Sequence, residues 1–171
     1  MTLRDRLTTG TTRDLGPTDE IVDEALHNHA LIQQLIDALD DNRGVVPHRA
    51  SNALKKIQRS NPKLIDPYAK RILQATLVTE HMHTRWNLTI ILGELPLRGR
   101  EKSLAIDLMF ESLSSRSALQ RAFALTALTN YAHNDPTLRT RIHPILQRAL
   151  TDPSAAIRAR TRQLLKQLGS S

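Results

Sequence analysis

Four short stretches of this chain carry one apolar pattern at a nearly constant interval. They are Ala50/Ala53/Leu54/Ile57, Leu88/Ile91/Leu92/Leu95, Ala124/Ala127/Leu128/Tyr131 and Thr161/Leu164/Leu165/Leu168, and they begin 38, 36 and 37 residues apart. Each has the i, i+3, i+4, i+7 spacing of one face of an α-helix. A second pattern with the same interval falls between them: Ile72-Leu73 with Leu77, Leu108-Met109 with Leu113, and Ile145-Leu146 with Leu150. Each unit is therefore a pair of helices that cannot bury its apolar faces alone and must stack on its neighbours.

The turns between these patterns carry matching punctuation. Asn61-Pro62, Asp135-Pro136 and Asp152-Pro153 each set a capping side chain before a proline whose fixed φ suits a first helical turn. The spacing predicts first helices near 46–59, 83–95, 118–132 and 154–168, and second helices near 63–78, 101–114 and 137–151. Residues 18–40 read as a further helix, and Leu35-Ile36 lies 37 residues before Ile72-Leu73, as the second helix of a degenerate repeat would. Residues 1–17, Thr-rich with Gly10 and Gly16, are expected to be flexible, residues 18–168 to form one domain, and 169–171 to be a tail. The last helix carries Arg160, Gln163, Lys166 and Gln167, the polar outer face a terminal repeat needs.

These residues resemble the HEAT repeat, an α-solenoid module of two antiparallel helices. The clearest match is Leu150-Thr151-Asp152-Pro153 followed by Ile157-Arg158, which is similar to that family's turn between repeats. Arg85, Arg121 and Arg158 each stand three residues before their quartets, where the family carries its arginine. The match covers about 41–168 and has departures: Pro47 replaces the arginine in the first repeat, and Thr79 and Ser115 replace the turn aspartate. The resemblance implies an all-α, right-handed α-α superhelix of about three and a half helix pairs plus an N-terminal helix. It also implies a binding scaffold, although HEAT-like solenoids include DNA-repair glycosylases, so fold does not settle function.

Residue inventory narrows the function classes. There is no cysteine, hence no disulfide framework, thiol nucleophile or cysteine-based zinc site. Charges and threonines fill MTLRDRLTTGTTRDLG where a signal peptide needs an apolar core, and the stretch from Leu88 to Leu97 is far short of the roughly 20 residues of a membrane span. A cytoplasmic protein with no membrane partner is expected. Gly10 belongs to no phosphate-binding loop motif, and no serine sits in a strand-to-helix elbow. A base-removing enzyme would need a surface for an unstacked base, yet Trp86 is the single tryptophan and reads as packing between repeats. His27/His29 and His81/His83 offer two imidazoles each, and no third ligand is assignable by spacing. The expectation is a non-catalytic chain without cofactor or metal.

Two surfaces remain. Residues 17–42 hold seven acids and no Lys or Arg, whereas residues 43–171 hold 21 Lys+Arg and 8 Asp+Glu. Lys55, Lys56, Arg59 and Lys63 surround the turn of the first repeat, and Arg98, Arg100 and Lys102 that of the second. Together they are a candidate phosphate-binding ridge or a solvated edge. Aligning the second helices puts Lys70, Ile106 and His143 in one column and Gln74, Phe110 and Gln147 in another. An apolar centre within a polar rim is the anatomy of a protein-binding hot spot, while burial of Ile106 and Phe110 is the alternative. The resemblance implies that second helices line a concave face, and the favoured expectation is a protein-protein scaffold using that face, with nucleic-acid binding by the basic turns as the second reading.

Overall fold

A computed structural model of the protein describes residues 1–9 and 15–169. Among them there is helix and no strand, in two compact units, Met1–Leu97 and Arg98–Ser171. None of their helices is long and apolar enough to cross a membrane.

The first unit contains α1 (Leu3–Arg6), α2 (Thr18–His27), α3 (Ala30–Asp37), α4 (Val45–Ser60), α5 (Ala69–Val78) and α6 (Met82–Leu92). Its centre is α4, which packs against α2, α3 and α6. Ala50, Ala53, Leu54 and Ile57 are all fully buried there, and Leu88, Ile91 and Leu92 of α6 answer them. Two polar side chains of this core bridge α4 and α6. Asn87 Nδ2 donates to Ser51 Oγ (3.1 Å), and Gln58 Nε2 donates to the Ile91 carbonyl (3.2 Å).

Three local departures from expectation have physical causes. The helix over 18–40 breaks at Asn28, whose extended backbone ends α2 while its side chain accepts from Ala30 N (3.3 Å) to open α3. The second helix of the first repeat starts at Ala69 rather than 63, because Pro62 and Asp66-Pro67 open two short 3-10 turns, Pro62–Leu64 and Asp66–Tyr68. The opening segment, expected to be flexible, carries α1 with a capping box between Thr2 and Asp5 and buries Leu3 and Leu7.

Arg49 ties that segment down. Its side chain is fully buried, and Nη1 donates to the carbonyls of Leu7 (2.8 Å) and Thr9 (2.5 Å). Gly16 is needed beside it: its φ is +52°, and a Cβ there would lie 2.9 Å from Arg49 Nη1.

The second unit contains α7 (Gly99–Ser112), α8 (Ala118–Ala132), α9 (Pro136–Ala149) and α10 (Ala155–Gly169). Here α8 is central, packed against α7, α9 and α10. Ala124, Ala127 and Leu128 are buried, and small residues at this face let α10 approach with Thr161, Leu164 and Leu168. Ser117 caps α8 through Gln120 N (3.2 Å), and Asp135 caps α9 through Leu138 N (3.0 Å).

The three aligned arginines share one task. Arg85 donates to the carbonyl of Thr79 (2.5 Å), Arg121 to that of Ser115 (2.9 Å) and Arg158 to that of Asp152 (2.7 Å), each reaching back six residues. Each guanidinium thereby satisfies a backbone acceptor in the turn before its own helix.

Candidate functional site

The column residues do not behave alike. Lys70 and Gln74 are exposed on α5, and His143 and Gln147 are exposed on α9. Ile106, at 9 % exposure, belongs to the core of the second unit. Phe110 is half-buried, and the Arg141 guanidinium lies 4.5 Å above its ring. A cation over an aromatic face is stabilising by about 0.5–1 kcal/mol at an accessible site. The burial alternative thus holds for Ile106, whereas Phe110 keeps part of its ring open.

The basic turns are also divided. Lys55 is half-buried and donates to Asn87 Oδ1 (2.6 Å), and burial followed by the neighbouring Arg59 and Lys56 pushes its ammonium below the ordinary lysine value. Lys56 pairs with Asp19, and Lys102 pairs with Asp135 (3.0 Å). Arg59, Lys63, Arg98 and Arg100 are exposed. Three of the seven cations are therefore already engaged, and a phosphate would have to compete for them.

His27 and His29 are exposed, and among the described residues no three metal-ligating side chains come together. His81 fills the space over Gly44, where a Cβ would come within 2.9 Å of its ring. His83 stacks at 4.9 Å on His48 of α4 and meets Trp86 edge-on at 4.9 Å. Gly10, considered for a phosphate loop, lies outside the described residues.

Charge separates the two units more sharply than any single residue. Residues 1–97 hold twelve Lys+Arg and twelve Asp+Glu, and residues 98–171 hold twelve and five, so all of the +7 lies in the second unit. Four of the seven acids in 17–42 form ion pairs inside the first unit. Arg6 makes a two-pronged pair with Glu24 (2.7 Å each), Lys56 meets Asp19, Arg71 meets Asp40 (2.7 Å) and Arg43 meets Asp41 (2.8 Å).

Within the second unit a pocket of about 300 Å³ opens where α7, α8, α9 and the start of α10 converge. Leu125 and Ile157 form its buried floor, and the half-buried Leu113, Ile145 and Ala149 form its walls. Arg121, Arg148 and Asp152 line it as well. Arg121 Nη2 lies 3.3 and 3.4 Å from the two Asp152 oxygens, and Ser154 N donates to Asp152 Oδ1 at 2.8 Å, so the carboxylate is compensated. Arg148 is exposed and makes no side-chain hydrogen bond or ion pair among the described residues. Such volume and lining suit the small end of ligand sites, which run from about 300 to 1,000 Å³.

Comparison with known protein families, curated proteins and solved structures returned no match. Arg141, Ile145 and Arg148 stand at i, i+4 and i+7, on one face of α9, and Phe110 stands on α7 three residues before Leu113, which caps its C-terminal end. Arg141 touches Phe110, and Leu113 shares the pocket with Ile145 and Arg148. The result is one strip, apolar along its middle and cationic along its α9 side. Column alignment of the sequence singles out only Phe110 from this strip as a surface residue. Leu113 and Ile145 are visible there as members of the second apolar pattern, and the cations at Arg141 and Arg148 flanking Ile145 are the signal that this face is not wholly core.

Proposed function

We propose that the chain is a non-catalytic protein-binding module made of HEAT-like helix pairs in a right-handed superhelix, and that it docks its partner through the α7/α9 strip of the second unit. The observation that carries this reading is the joining of a half-open apolar strip, Phe110-Leu113-Ile145, to the unit holding the whole net charge. An aromatic centre with arginines beside it matches the composition of interface hot spots. His143 and Gln147 are exposed on another face of α9, and Lys70 and Gln74 are exposed on α5, so these four column residues are not part of the strip. The alternative, nucleic-acid binding by the turns, is weakened by the internal pairing of Lys55, Lys56 and Lys102.

A photo-crosslinking phenylalanine analogue at Phe110, compared with the same analogue at Lys63, tests the reading in cells that make the protein. Discrete protein adducts from position 110 and none from position 63 are expected. Nucleic-acid adducts from either position, or adducts from position 63 alone, would overturn it.

A further inference from the structure

We infer that the pocket between α8 and α9 takes one apolar side chain of an acidic peptide segment, with Arg148 receiving a neighbouring carboxylate; this rests on the docking reading above and names its partner class. The floor is apolar and closed, since Leu125 is 4 % and Ile157 1 % exposed, so water gains little there and an aliphatic or aromatic group gains burial. The walls are the half-buried Leu113, Ile145 and Ala149, which leave the volume of about 300 Å³ open to solvent rather than sealed. An occupant must therefore come from outside and bring an apolar group.

The charge at the mouth sets the second requirement. Asp152 is held by Arg121 and by the backbone N–H of Ser154 just before α10, and Arg121 spends its other terminal nitrogen on the carbonyls of Ser115 and Arg116. That leaves Arg148 as the accessible charge, with Arg141 two turns away on the same helix face. A unit of net charge +7 repels basic partners and steers acidic ones. Guanidinium groups bind carboxylates in a planar, two-pronged geometry, so an acidic side chain adjacent to the apolar one satisfies both features together.

The probe is a fluorescein-labelled ten-residue peptide of alternating Glu and Asp with a central Leu-Phe pair, measured by fluorescence anisotropy against the full chain. Two further peptides replace Leu-Phe by Gly-Gly or the acids by Lys. The acidic Leu-Phe peptide is expected to bind, the Gly-Gly peptide about tenfold more weakly, and the Lys peptide not at all. Ala149→Phe, which fills the pocket, should erase the advantage of Leu-Phe while keeping the preference for acids. Arg148→Gln, at an exposed position, should weaken the acidic peptides several-fold and leave the helix content unchanged. Equal binding of the Gly-Gly and Leu-Phe peptides would overturn pocket occupancy while the docking reading stands. Pocket occupancy also fails, and docking survives, if no acidic peptide binds below about 1 mM although crosslinking at position 110 still yields protein adducts. Displacement of the peptide by an oligonucleotide, together with nucleic-acid adducts at position 110, would overturn both.

Discussion

The two units build helix pairs with opposite use of charge. In the first, twelve cations meet twelve acids, and the ion pairs run from Arg6 to Glu24, Lys56 to Asp19, Arg71 to Asp40 and Arg43 to Asp41. Even its fully buried guanidinium, Arg49, is turned inward onto the carbonyls of Leu7 and Thr9. In the second, twelve cations meet five acids, and Asp135 and Asp152 are already taken by Lys102 and Arg121. Five acids cannot neutralise twelve cations, so a positive surplus stays on the surface of this unit. A surface ion pair contributes little stability, so the first unit's neutrality is best understood as closing a surface and the second unit's surplus as leaving one open.

The largest test of that contrast is in the first unit. Arg49→Ala removes a fully buried side chain, leaves two carbonyls unpaired and opens a void, so urea unfolding should show a loss of about 3–5 kcal/mol. A loss under about 1 kcal/mol would mean that the opening segment contributes nothing to the fold.

Next comes a pair within the second unit. Ile106→Lys puts a charge into the core and should cost about 3–5 kcal/mol, whereas Phe110→Gln at a half-open position should cost about 1–2. Thermal unfolding of both variants separates core from strip. Equal, large losses would remove Phe110 from the docking surface.

Smaller again is a pH effect confined to the first unit. His48 is half-buried, and burial first, then His83, Arg49 and Lys55, lowers its pKa below the ordinary 6.5. The folded state thus favours neutral His48, and between the folded and unfolded pKa values the unfolded chain binds more protons. Stability should be full above about pH 6.5 and decline as pH falls below it. Urea midpoints measured across that range, with His48→Gln removing the decline, would establish this; a midpoint that rises on acidification would contradict it. Asp41 acts later on the same descent: its bond from Arg43 holds its carboxyl at about 2, so its contribution is lost only between about pH 4 and 2.

The repeats are legible in the sequence because burial in stacked helices is periodic. Every member of the four quartets is buried except Leu165 on α10, which is half-buried. The second pattern is less reliable at its third position: Leu77 is 44 % exposed, and Leu113 and Leu150 are half-buried. Those positions sit at helix ends, where the face turns toward solvent, and the pocket forms beside Leu113 for that reason. Periodicity does not reveal the pairing of Arg6 with Glu24 or Lys56 with Asp19, since a side chain's partner across elements depends on packing rather than on spacing. Nor does it distinguish Ile106 from Phe110, because one turn of helix separates a residue in the core from one beside Arg141.

The smallest stability effect carries the sharpest functional contrast. Lys56→Gln in the first unit breaks an ion pair with Asp19, whose side chain is 83 % exposed, and should cost only about 0.2–1 kcal/mol. Arg148→Gln in the second breaks no pair among the described residues and should move stability by no more than about 0.5 kcal/mol. Binding should rank them the other way. Lys56 already has its counter-charge, so its loss leaves acidic-peptide affinity unchanged, whereas the loss of Arg148 should weaken that affinity several-fold. Raising salt should shrink the difference, because an exposed charge is screened over about 8 Å at physiological ionic strength. If the two variants weaken binding equally, partner attraction is a property of total charge. If only Arg148→Gln does, attraction is local to the pocket, and the neutral unit serves to hold the fold while the basic one does the recognising.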